Sequence, residues 1–241
     1  MFIPRLSVKF TPWRNGSPEA KAADASFDKV RPAVLASRRT ESGFLVCEGC
    51  GFVTATGDER PFTPQGFFEL HHLDNDHANN QADNIAVACP FCHMPFHIGF
   101  NAMRGNGTLI FAPELSQADI SRICAVSVIG FSRGDALSAK AKQSYHSLSL
   151  RGEALRKFFG PDFALNLANY LLDRDRLEVS GDSTSAGLPC VSRDERDDGL
   201  KTFNALRFLP DVESPDLARA ADYWRRVYQH CDTPSPPTIS I

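Results

Sequence analysis

The 241-residue sequence has no stretch of about 18 consecutive apolar residues, the length a membrane-spanning helix needs, so no transmembrane segment is expected. Its first twenty residues, MFIPRLSVKFTPWRNGSPEA, place no apolar core behind a basic start and are broken by Pro4 and Pro12, so no signal peptide is expected either. Internal repeats are absent. So is a surplus of positive charge: 26 Lys and Arg stand against 29 Asp and Glu, a formal net charge of −3. Proteins that grip DNA through many phosphates carry a basic face, and a mildly acidic chain argues against strong non-specific binding. The 42% hydrophobic content is ordinary for a globular protein, and the length allows one or two domains with a buried core.

Cysteine is present and patterned. Four of the seven cysteines form two CxxC pairs, Cys47/Cys50 in CEGC and Cys89/Cys92 in CPFC, while Cys124, Cys190 and Cys231 stand alone. An odd count without a signal peptide points to a reducing compartment, where paired thiolates hold zinc rather than each other. A CxxC knuckle lets two thiolates reach one tetrahedral ion, and Gly51 after CEGC supplies the backbone freedom such a turn needs. Cys47, Cys50, Cys89 and Cys92 are therefore the expected structural zinc ligands.

Periodicity divides the chain into an N-terminal extension (1–40) with a helix near 24–39, a ligand-rich module (41–111) and a helical region (112–179). A disordered linker (180–199), C-terminal helices (200–231) and a disordered tail (232–241) follow. In SQADISRICAVSVIG, Ser116 reads as an N-cap, with Ile120, Ile123, Cys124 and Val128 on one apolar face and Gly130 at the end. Further helices are expected at 135–150, 152–159 and 162–178, and a last one from Ser214 and Pro215 through WRRVYQH. The linker SGDSTSAGLPCVSRDERDDG is rich in Gly, Ser and Asp and lacks periodicity, so Arg193, Asp194 and Glu195 support no catalytic claim.

The histidines form the second constellation. In ELHHLDNDHANNQADNIAVACPFCHMPFH, His71 and His72 end a candidate strand and point to opposite faces. A helix from Cys92 would put His93 and His97 on one face, about 5–6 Å apart, close enough to share a metal with His71. This pattern of a His-His pair, an Asn before an apolar strand and a His-x-x-x-His on the next helix resembles the HNH, or ββα-metal, endonuclease family. The resemblance implies an α+β fold, a small ββα-metal module on a four-cysteine zinc knuckle with a mainly helical C-terminal half. It also implies that His72 is the general base, its backbone or ring held by Asn84. His71, His93 and His97 would then hold a second divalent ion, magnesium, manganese, nickel or zinc, at a scissile DNA phosphate.

A longer resemblance covers about residues 40–228. The knuckle, LDNDHANNQADNIAVACPFC, GNGTLIFAPELSQADISRIC, a basic stretch ending RKFFG, and LRFLP before a Trp-containing helix are similar to the DotN (IcmJ) family of the Dot/Icm type IVB secretion system. That resemblance implies a non-enzymatic adaptor of a coupling complex, with the C-terminal segment of a DotL-like ATPase as partner. It also implies a cytoplasmic location at the inner face of the membrane, reached through that complex. The DotN pattern lacks the nuclease histidines, and this sequence keeps them, so adaptor and endonuclease both stand.

Other residues carry blander readings. His77 reads as a solvated loop residue, His146 and His230 as lone helical histidines, Cys124 as a core thiol, and Trp224 with Tyr228 as packing. The phenylalanine pairs 67/68, 158/159 and 91/96 also read as packing. Between 133 and 157, Arg133, Lys140, Lys142, Arg151, Arg156 and Lys157 outnumber Asp135 and Glu153. Such a run is a solvated helix face or a docking surface for something acidic.

Overall fold

The computed structural model describes residues 2, 4, 6, 18–41, 43–53, 68–74, 76, 78–131, 136–169 and 205–218. In chain order these form α1 (Pro18–Ser37), β1 (Glu69–His72), β2 (Ile85–Ala88), α2 (Pro90–His93), a 3-10 turn (Met94–His97), α3 (Ile98–Met103), β3 (Gly107–Phe111), α4 (Gln117–Phe131), α5 (Ala136–Phe159) and β4 (Leu206–Pro210). The class is α+β, as expected. The linker 180–199, the tail 232–241, His77, Arg133, Asp135, Cys190, Cys231, Phe67, Trp224, Tyr228 and His230 lie outside the described residues.

Strands β1 and β2 form an antiparallel pair with His71 opposite Ala86 and His72 opposite Ile85. Because successive strand side chains leave opposite faces, the two histidines serve two different environments. Strand β2 is buried along its whole length and leads directly into Cys89 and α2. The buried core gathers Ile85, Phe91 and Ile98 from this module with Leu109, Ile110, Ile120 and Phe208 from the later elements. Each such side chain contributes about 1.5–3 kcal/mol on burial. The module and the helices behind it thus share one core.

Several elements differ from the sequence expectation, each for a local reason. Helix α1 starts at Pro18 rather than near 24, since a proline in the first turn needs no amide partner. The helix expected from Cys92 starts at Pro90 and does not run on as one α-helix. Pro95 has no amide hydrogen, and Met94–His97 tightens into a 3-10 turn. Helix α5 is a single helix where two were expected, because Gly152 is a contact rather than a break. A Cβ there would meet Thr108 Cγ2 at 2.7 Å and Ile110 Cγ2 at 3.3 Å, so glycine lets α5 lie close against β3.

Residues 206–210, within the expected C-terminal helices, form strand β4, which pairs antiparallel with β3 from Gly107 opposite Pro210 to Phe111 opposite Leu206. The Ser116 cap is present: Asp119 N–H donates to Ser116 Oγ at 3.1 Å and Ser116 N–H to Asp119 Oδ2 at 3.0 Å, a reciprocal capping box. The helix expected at 162–178 is described as helical over 163–169, and the last helix only through its first 3-10 turn, Pro215–Leu217. Phe159 stacks on Phe163 at 4.6 Å and meets Phe158 edge-on at 4.8 Å, but both members of the pair are exposed, so they pack at the surface and not in the core.

Candidate metal centres

The first knuckle is closed by backbone. Gly51 N–H donates to Cys47 carbonyl oxygen at 2.9 Å and Cys47 N–H to that of Phe52 at 2.8 Å, with Gly51 at φ 77° completing the reversal. The second knuckle opens α2, where Cys92 and His93 amides both donate to the Cys89 carbonyl at 3.0 Å. Together they bring Cys47, Cys50, Cys89 and Cys92 into one buried cluster with all four Sγ atoms within 4.8 Å of one another.

Electrostatics within the cluster favour one thiolate. Hydrogen bonds from Cys50, Cys89 and Cys92 hold the Cys47 thiol well below its ordinary range, and the Cys89 amide adds another at 3.2 Å. Burial pushes Cys89 up, while hydrogen bonding with Cys47 and Cys50 pushes Cys92 up. Four close, buried sulfurs with a charge already favoured at one of them fit a tetrahedral thiophilic ion. The surroundings hold the knuckles in place: Glu48 N–H donates to Val87 oxygen at 2.9 Å, and Arg122 Nε to Cys50 oxygen at 2.8 Å.

The second cluster is His71, His93 and His97, one buried and two half-buried, with a ligand atom from each within 4.8 Å of the others. Despite the break in helix α2, the 3-10 turn keeps the pair together, with His93 Nε2 3.2 Å from His97 Nε2. Asn101 holds the turn from below, its Nδ2 donating to the carbonyls of Met94 at 2.9 Å and His97 at 3.1 Å. Phe96 lies 4.0 Å from His71 and Phe2 lies 5.6 Å from it, giving the site an apolar wall. Three imidazoles with solvent on one side fit a divalent ion that keeps an open coordination position.

On the other face of β1, His72 is buried, its ring 5.0 Å from Phe27 of α1. Its Nε2 lies 2.9 Å from Asn80 Oδ1, and Asn80 Nδ2 donates to Ser26 Oγ of α1 at 3.1 Å. Asn84 reaches the loop that follows β1 rather than the His72 ring. It ends the 3-10 turn before β2, so its Nδ2 reaches Asp74 Oδ1 and Asn79 oxygen, both at 2.9 Å, while its carbonyl takes the Leu73 amide. Asn80, not Asn84, meets the His72 ring. Against the pull of burial, hydrogen bonds from Asn84, Asp76 and Asn79 and the nearby His72 hold the Asp74 carboxyl below its usual range.

Sequence reasoning passed over Glu69, Asn80, Asn101 and Arg122. Only Glu69 carried a readable signal, since it lies two residues before His71 and so on the same strand face. Its Oε2 meets His93 Nδ1.

Among the described residues no helix is long and apolar enough to cross a membrane. No family model matches the chain. It is 28% identical over 116 residues to the type 4 apparatus protein DotN of Legionella pneumophila, covering 47% of this chain and 50% of DotN. It is 40% identical over 77 residues to the H-N-H endonuclease F-TflIV of Escherichia phage T5, covering 31% of each. With the HNH protein YajD of Escherichia coli (strain K12) it shares 36% identity over 53 residues, 21% of this chain and 46% of YajD. The chain thus spans half or less of the length of these curated relatives. The four-cysteine cluster, the α+β frame and this set of relatives support a DotN-like module of the HNH type with a four-cysteine metal-binding cluster in the chain.

Proposed function

We propose that the chain is a zinc-stabilised HNH-fold adaptor of a type IVB secretion apparatus, binding the C-terminal region of a DotL-like coupling ATPase at the inner face of the membrane. The observation that carries this reading is the state of His72. The residue that the nuclease resemblance implies as general base is 4% exposed, its Nε2 engaged by Asn80 and its ring 5.0 Å from Phe27 of α1. A base must lie within hydrogen-bond reach of the water it activates; with Nε2 turned to the Asn80 oxygen, only Nδ1 of this buried ring is left for that role, and burial restricts water there. The similarity to DotN supports the same reading, because it extends over more residues than the module between 41 and 111 contains. The cysteine cluster takes zinc on this proposal, as a purely structural site.

The test is co-purification with the C-terminal segment of a DotL-like ATPase. Binding at micromolar concentration is expected, and its absence removes the adaptor reading.

A second reading, metal-dependent hydrolysis of DNA phosphodiesters, is favoured by the convergence of His71, His93 and His97. An ion bound there supplies charge stabilisation at the phosphate and the leaving oxygen. The chain's own part is to hold that ion on three imidazoles, to present a phosphate to its open side, and to accept a water proton at Nδ1 of His72, the nitrogen that Asn80 does not engage. On this reading purified protein nicks plasmid DNA with magnesium or manganese, and His72→Ala abolishes nicking with zinc content unchanged. Wild-type protein that never nicks with any divalent ion ends it.

A further inference from the structure

We propose that Glu69 is a positioning residue for the histidine metal site: its carboxylate accepts the Nδ1–H of His93 and so commits Nε2 of that ring to the metal. An imidazole offers two nitrogens, and only the one without a proton can ligate. Whichever nitrogen donates a hydrogen bond elsewhere decides which one remains. In this structure the two nitrogens of His93 have different neighbours. Its Nδ1 faces Glu69 Oε2, and its Nε2 lies 3.2 Å from His97 Nε2, on the side where the His71 ring stands 5.3 Å away.

The placement of Glu69 follows from the strand. Side chains two apart on β1 share a face, so Glu69 and His71 approach the α2 turn together, and the pairing of Glu69 with Ala88 sets the carboxylate beside the start of the ligand-bearing turn. Helix α1 adds a charge of the opposite sign. The buried Arg31 guanidinium donates to Phe68 oxygen at 3.0 Å and attracts Glu69, so the carboxylate feels a fixed cation as well as the imidazole it orients. Glu69 thereby also couples α1 to the metal site.

The proposal rests on the histidine cluster holding a metal, as the second reading above assumes, and is indifferent to ATPase binding and to nicking. It is tested on full-length protein whose cysteine site is already filled, by titrating zinc or manganese against a chromogenic chelator. Glu69→Gln should weaken binding at the histidine site by about 10–100-fold, the usual loss when such a partner is removed. The metal already held on the cysteines and the circular dichroism spectrum should not change. A merely structural glutamate would lower the melting temperature and leave the affinity of the folded protein alone, which overturns the proposal. A readout that needs no variant is the long-range 1H–15N spectrum of His93 in wild-type protein before the second metal is added. The Nδ1–H tautomer is expected, and an Nε2–H tautomer overturns the assignment. Wild-type protein that binds no second ion at all also overturns it, while leaving the adaptor reading to its own test.

Discussion

The cysteine and histidine clusters both draw two ligands from the same nine residues, CPFCHMPFH, yet they differ in enclosure. The sulfurs are all buried, drawn from two knuckles and locked by backbone hydrogen bonds to β2 and by Arg122 from α4. Only His71 of the histidine cluster is buried, and the other two ligands face partly outward. Closed four-ligand sites hold a fold together, whereas three-ligand sites with an open side leave room for another molecule. One short segment can serve both because Cys89 and Cys92 point into the core while His93 and His97 leave by the outer side of the same turn.

The largest effect should come from breaking the closed site. Cys89→Ser removes a thiolate and the residue that opens α2, and a structural zinc of this kind contributes about 10 kcal/mol to folding. The expected outcome is protein with no zinc by elemental analysis and no cooperative thermal transition. Zinc retained with an unchanged melt would show that the two clusters are not divided as the burial suggests.

Breaking the open site should do much less to the fold. His97→Ala removes a half-buried side chain from a turn that Asn101 fastens through main-chain carbonyls, which the substitution leaves in place. Loss of the second ion is expected, with the cysteine metal kept and stability changed by no more than about 2 kcal/mol. Metal stoichiometry and a denaturant melt read both outcomes. A collapse of the fold would mean that the histidines, too, are structural.

How much of this could be read from the sequence depended on the range of each interaction. The CxxC pairs, the His-x-x-x-His spacing and the Ser116 cap are local patterns, in which chemistry is set by neighbours a few residues away. The Met94–His97 turn was a local feature misjudged, since Pro95 was present to be weighed. Strand β4 was a different matter: Leu206–Pro210 becomes a strand by pairing with Gly107–Phe111, and no nearby residue announces that partner. The cover over His72 was equally hidden, because Ser26, Phe27 and Asn80 meet only when α1 folds back on the β1–β2 hairpin. The gap expected between helices 135–150 and 152–159 does not exist, because Gly152 makes a contact with β3 that appears only in three dimensions.

The smallest effect concerns how α4 is tied to the closed site. Asp119 completes the capping box with Ser116, and its Oδ1 takes Arg122 Nη1 at 2.8 Å, the same guanidinium whose Nε supports the Cys50 carbonyl. Although burial opposes it, hydrogen bonds from Ser116 and the Arg122 charge hold the Asp119 carboxyl below its ordinary range. A carboxyl lowered in the folded state binds protons more readily when unfolded, so its stabilisation is present above the unfolded value, about 3.9. It fades as pH falls through the lower folded value. Asp119→Asn should therefore cost about 1 kcal/mol at neutral pH, the usual worth of such a cap, and progressively less as pH falls below about 4. Melts of the two proteins at matched pH give that difference directly, with acid effects on the thiolates common to both. A gap that stayed constant through this range would place the stabilisation in packing rather than charge. A gap accompanied by loss of the second ion instead of looser cysteine metal would show that α4 supports the open site, reversing the division drawn between the two clusters.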